Sequence, residues 1–217
     1  MASLIHEFNN PLTAISGFAQ LAARTDDTAR IHNMIQTIRD ECTACSKLLE
    51  RIENAYVLPP TKLREINVRQ ILEQSSALGT TLPIDAGIYV EFSLDPELAF
   101  VYGDQTLTLR AIQCAMRNAA FAITEVEIPQ ITLSSRCEDA NIGVIGISDN
   151  GPGIPPELIE QVFEPTYTTH KSGRGFGLGL PTIRQCMAMQ NGEVVLINDA
   201  SGGLTVELRF PPGAVGY

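Results

Sequence analysis

From Leu4 onward, apolar or small residues return at Phe8, Pro11, Ile15, Phe18 and Ala22, in alternating steps of four and three. Such steps mark one seam of an amphipathic helix. After the polar stretch RTDDTA the same steps resume at Ile31, Ile35, Ile38, Cys42, Cys45, Leu49, Ile52 and Tyr56, and they stop at Pro59-Pro60. The pattern predicts two antiparallel helices joined by a short turn and ended by the prolines. One hairpin has too little area to bury both seams, so a second copy completing a four-helix bundle is expected, and with it a homodimer.

Beyond the prolines the period changes. REINV, GIYVEFSL, QITLSSRCE and NIGVIGISD read as strands, and QTLTLRAIQCAMRNAAFAIT reads as a long helix. GEVVLIND and GGLTVELRF read as a hairpin across ASGG. These elements predict a layered fold, one mixed sheet with helices on one face. The expected class is therefore α+β: an N-terminal helical hairpin over residues 1–60, then a two-layer α/β sandwich over 61–217.

Composition removes several function classes. The 217 residues are 44% hydrophobic and 18% charged, enough for a packed core. A formal charge of −10 argues against nucleic acid or an anionic membrane surface as a partner. No apolar run reaches the length of a membrane span, so this segment is expected to make no membrane contact. The five cysteines are odd in number and lie mostly within apolar periodic segments, which reads as reduced, core-facing thiols in the cytoplasm. Cys42 and Cys45 form a CxxC with no second pair to complete a metal site.

Two places carry chemistry. In the first helix, SLIHEFNNPL packs His, Glu, two Asn and Pro into six residues. His6 lies two positions after Leu4, about 200° round the helix, and so faces away from the seam. Glu7 is its neighbour, and Asn10 lies one turn on, on the His6 face. Pro11 removes a helix hydrogen bond just after this polar group. In the second region, the strand IGVIGISD runs into DNGPGIP, and a second glycine cluster, GRGFGLGLPT, opens a helix further on. Glycines permit close backbone approach, and free N–H groups at a helix start cradle phosphates.

Taken together, these stretches resemble the catalytic core of two-component sensor histidine kinases. HEFNNPL resembles the histidine box, RNAAFA the asparagine box, DNGPGI and GRGFGLGL the two glycine boxes, and VFEP the phenylalanine box, all in the family's order. The resemblance covers residues 3 to about 210. It implies a dimerization and histidine-phosphotransfer hairpin and an ATP-binding domain of the Bergerat (GHKL) type, shared with Hsp90, gyrase and MutL. It implies autophosphorylation from ATP with Mg2+ and phosphotransfer to the receiver domain of a response regulator. His6 then matches the phosphoacceptor, Glu7 the acid that accepts its proton, and Asn10 the residue tied to regulator phosphatase activity. Asn118 matches the magnesium ligand. Asp149 matches the acid that binds the adenine amino group, with Gly151 and Gly153 beside the base. Phe163 and Pro165 match anchors of the lid, and Gly175, Gly177, Leu178 and Gly179 match the loop on the phosphate side.

Three positions depart from that pattern. Cys114 stands where a supporting asparagine is common, and His170 stands at the usual lysine of the lid, so that either Lys171 or Arg174 supplies the cation. Only five residues precede His6, so the sensing part is expected on a missing upstream stretch or on another chain.

Overall fold

The computed structural model describes residues 2–56, 61–78, 87–138, 142–164, 167, 177–199, 202–211 and 215–216, with the side chains of 2–8, 47–56, 77–78 and 215–216 outside that description. The chain divides into two compact units, a helical one containing the hairpin and an α/β one containing every described strand.

In the helical unit, α1 (Ala2–Ala22) runs unbroken past Pro11 and packs against α2 (Thr28–Tyr56). Asp27 sets the start of α2, its Oδ1 accepting from the backbone N–H groups of Ala29 (3.0 Å) and Arg30 (3.2 Å), which would otherwise lack partners. Ile15, Phe18, Ile31 and Ile38 are half-buried along the expected seam, and no described hairpin side chain is fully buried. Leu12, Leu21 and Ile35 are about half exposed, although the heptad spacing puts Ile35 in the seam. Two helices have only one mutual contact line, so the remaining apolar positions keep their water. His6, Glu7, Phe8 and Leu49 onward are helical in backbone, but their side chains lie outside the described ones.

The α/β unit holds two sheets where one was expected. A five-stranded mixed sheet has the order β2-β4-β5-β7-β6: β2 (Tyr89–Leu94), β4 (Gln130–Glu138), β5 (Ile142–Asp149), β6 (Glu193–Asn198) and β7 (Leu204–Arg209). β2 is parallel to β4, and the other pairs are antiparallel. A three-stranded sheet has the order β1-β3-β8: β1 (Arg64–Asn67), β3 (Phe100–Gly103) and β8 (Val215–Gly216). The REIN segment lies in this small sheet, because Asn67 stops it by accepting from Gln70 N–H (2.8 Å) and opening α3 (Val68–Leu78).

Alternation decides which face of the large sheet is covered. Ile131, Leu133, Ile145, Ile147, Val206 and Leu208 face the core, beneath α4 (Gln105–Ala122). On α4 the buried positions Leu107, Ala111, Ile112, Ala115, Met116 and Ala119 recur at helical spacing, and the alanines let α5 (Gly179–Ala188) and the sheet come close. On the other face, Arg136 and Arg209 both reach Glu138 and the buried Glu207, forming a neutral ring.

Asp104 anchors α4 at its start. Its Oδ1 accepts from Thr106 and Leu107 N–H, its Oδ2 from Lys62 N–H (2.6 Å), and its own N–H donates to Gln190 Oε1 (2.9 Å). Asp104→Ala is therefore expected to cost about 1–2 kcal/mol, the loss of a helix cap. Thermal melting should show a drop of several degrees that Asp104→Asn largely restores.

Candidate nucleotide site

β5 delivers Asp149 to the edge of the core, where the side chain is 7% exposed. Its Oδ1 accepts from Gly151 N–H (2.9 Å), and the backbone N–H of Leu204 also supports the carboxylate. Burial nevertheless raises its pKa, chiefly by desolvation, and the nearby charge of Asp199 adds to the rise. Glu207 is as deeply buried, but two guanidinium groups neutralise it. An acid buried with only backbone donors and a second acid for company costs stability, as groups kept for a ligand do.

The loop after Asp149 presses on α4. A Cβ at Gly151 would lie 2.8 Å from Asp149 Oδ1 and 3.2 Å from both Cβ and carbonyl oxygen of Ala122. Gly153 has φ +71°, and a Cβ there would meet Asn198 Oδ1 at 2.7 Å. One turn before Ala122 on the same helix sits the half-buried Asn118. It faces the first residue of α5, since a Cβ at Gly179 would lie 2.5 Å from its Oδ1 and 2.7 Å from its Nδ2. The final turn of α4 is thus flanked by both glycine stretches, one beside a buried carboxylate and one at a helix N-terminus.

Gly177, with φ +62°, and the buried Leu178 lead into α5. Phe163 closes a short 3-10 turn, and the Arg184 guanidinium stacks on its ring 3.6 Å from the centroid. Pro165, His170, Lys171, Arg174 and Gly175 lie outside the described residues. Ala122, inside RNAAFA, carried no role of its own in the sequence, and nothing there marked Arg184 or Asn198. Gly202 and Gly203 were legible only as a turn, whereas Gly203, at φ +111°, presses against the Asp149 carbonyl.

All five cysteines are free thiols. Burial pushes Cys186 up to about 12 and also raises Cys114, which makes both poor nucleophiles. Cys42 is exposed, against the expectation of a core-facing residue; like Ile35 seven positions earlier, it keeps the heptad spacing without being covered.

Residues 103–214 match the family model for histidine kinase-, DNA gyrase B- and HSP90-like ATPases, and residues 1–55 match the His Kinase A (phospho-acceptor) domain. The chain belongs to the histidine kinases. Among curated relatives, this kinase core is 29% identical to the sensory histidine kinase/phosphatase NtrB of Vibrio alginolyticus, over 96% of the chain and 60% of the relative. It is 23% identical to the sensor protein FixL of Bradyrhizobium diazoefficiens, over 97% of the chain and 42% of the relative. The kinase core therefore spans about half the length of these relatives. Among solved structures, histidine kinase ThkA in complex with response regulator protein TrrA matches with TM-score 0.69 at 23% identity, covering 98% of this chain and 61% of that one. Full-length ShkA in complex with AMPPNP matches with TM-score 0.68 at 20% identity, covering 99% and 46%. The fold is the GHKL-type sandwich behind a helical N-terminal region.

The raised pKa of Asp149 has a sign that can be measured. The folded chain holds this proton more tightly than the unfolded chain, so stability falls as pH rises through the folded pKa. Asp149→Asn carries no such charge. Without nucleotide it should melt at or above the parent temperature at pH 8, with the two melting curves converging as pH falls. A variant melting well below the parent at every pH would make the carboxylate a structural group.

Proposed function

We propose that the kinase core transfers the γ-phosphoryl group of MgATP to His6, and from His6 to an aspartate on a response regulator receiver domain. Residues 1–60 act as the dimerization and phosphotransfer domain of a cytoplasmic homodimer, and 61–217 as the ATP-binding domain. The observation that carries the reading is the last turn of α4, where Asn118 and Ala122 each pack closely against a glycine, so that a side chain added there would press on them.

The residues fit the group they would hold. The buried Asp149 carboxylate offers an acceptor to the adenine amino group, with Gly151 and Gly153 allowing the base close approach. Asn118 offers a neutral oxygen suited to a hard ion held mainly by phosphates and water. Gly177, Leu178 and Gly179 lead to the N-terminus of α5, whose positive dipole end suits a phosphate. Phe163, held by Arg184, anchors the segment that leads toward Lys171, Arg174 and Gly175, where a cation for the phosphates would come from. Bound MgATP supplies the transferable phosphoryl group and charge neutralisation.

In the hairpin, an imidazole nitrogen of His6 forms the new bond to phosphorus. The bond to the bridging oxygen breaks, its electron pair leaves with ADP, and Glu7 accepts the imidazole proton. Asn10, an exposed residue one helical turn after His6, orients a water toward a regulator's aspartyl phosphate in this reading. The exposed Leu12, Leu21 and Ile35 give the hairpin apolar surface to bury against a second copy.

Incubation with γ-labelled ATP and Mg2+ tests this. Label should appear that is acid-labile and alkali-stable, and His6→Gln should abolish it while ATP affinity stays within about twofold. Glu7→Ala should lose labelling, whereas Asn10→Ala should keep most labelling and lose most phosphatase activity toward the cognate regulator. Full labelling of His6→Gln would overturn the acceptor, and an unaltered phosphatase rate would remove Asn10 from the mechanism.

A further inference from the structure

One exposed side chain, Asn198 at the end of β6, makes contacts that the proposed chemistry has not used. Its Oδ1 accepts from Ile154 N–H (2.9 Å), and its Nδ2 donates to Ile154 C=O (2.6 Å). The amide therefore takes up both backbone groups of one residue, as a neighbouring strand would. The same Oδ1 lies 2.7 Å from where a Cβ of Gly153 would stand, so the Asn198 amide packs tightly on this positive-φ glycine.

The other end of this loop is held by the same hairpin. Asp199 N–H donates to Gly203 C=O (3.2 Å), and Gly202 N–H donates to Asp199 C=O (3.0 Å), forming the β6–β7 turn. That turn brings Gly203 against the Asp149 carbonyl and the Leu204 N–H to the Asp149 carboxylate. The loop 149–154 thus has backbone and carboxylate contacts to β7 at its first residue and a two-bond side-chain clamp from β6 at its last. Between those ends lie Gly151 and Gly153. Chain entropy favours many loop conformations unless both ends are fixed, and recognition of a flat base needs one of them.

We propose that Asn198 is a positioning residue for base recognition: by clamping Ile154 it holds the 151–153 backbone in the conformation that lets a purine reach Asp149. This rests on the ATP-binding reading above. Asn198 itself touches no part of the nucleotide. Losing it leaves Asp149 and Asn118 in place but frees the far end of the loop, so the loss falls on the base-dependent part of affinity.

The experiment compares the parent, Asn198→Ala and Asn198→Asp, in the whole chain with Mg2+, by displacement of a fluorescent ATP analogue with ATP and with GTP, alongside melting curves. Asn198→Ala should weaken ATP binding about tenfold, the loss of one well-placed hydrogen-bonded contact. GTP binding should change less than about twofold, so the preference for ATP narrows. Asn198→Asp keeps an acceptor for Ile154 N–H but offers the carbonyl no donor, and should fall between the two. Because Asn198 is exposed, the melting temperature should move by no more than a few degrees. Equal weakening toward ATP and GTP, or unchanged ATP affinity in a variant of a parent that does bind ATP, would overturn the positioning role alone. A parent that binds no ATP would overturn the nucleotide reading and this inference with it.

Discussion

The last turn of α4 packs tightly against two glycines, one from each glycine stretch. Ala122 meets Gly151, and Asn118 meets Gly179. This steric constraint organises the α/β unit. β5 must end where Asp149 can turn into the loop beside Ala122, and α5 must begin at the Asn118 amide. At their opposite ends α4 and α5 are tied by one buried contact, since Gln190 Oε1 accepts from Asp104 N–H and from Thr108 Oγ1 (3.2 Å). The two helices therefore pack against each other at both ends, through Gln190 at one and through Asn118 and Gly179 at the other.

The contrast between two buried carboxylates shows how stability and function divide across the large sheet. Glu207 belongs to a closed ring with Arg136, Arg209 and Glu138, each charge answered by another. Among the described residues, Asp149 is answered only by N–H dipoles, and it sits near Asp199. Pairing of the first kind removes most of the desolvation cost of burying a charge, and the second kind leaves part of it in place until a donor arrives. The site and the ring stand on opposite faces of the sheet, so a rigid charged framework and an unanswered acid coexist without interfering.

Much of this was legible from periodicity and glycine placement. Steps of three and four marked α1, α2 and α4, alternation marked β4, β5 and β7, and the order of motifs pointed to the family. What escaped was set by contacts between distant residues. β3 is four residues long and leads straight into the Asp104 cap, so it leaves no alternation to read. Nothing local distinguishes Asn198 from a turn residue, because its partner Ile154 lies 44 positions away. Arg184 shows only as a polar helix position until Phe163 is placed beneath it. Ile35 kept the heptad rhythm yet stays exposed, since rhythm reports a helix face and not whether a partner covers it.

If the proposed reading holds, the α4 turn and its two glycine contacts form the nucleotide site. Nuclear magnetic resonance of the 15N-labelled chain during titration with ATP and Mg2+ tests it most directly, because backbone amides and the Asn118 side-chain amide report contact residue by residue. The largest shifts are expected at Gly151, Gly153, Gly179 and the Asn118 amide, with smaller ones along β6. Shifts that leave these four unmoved while saturating elsewhere would contradict it.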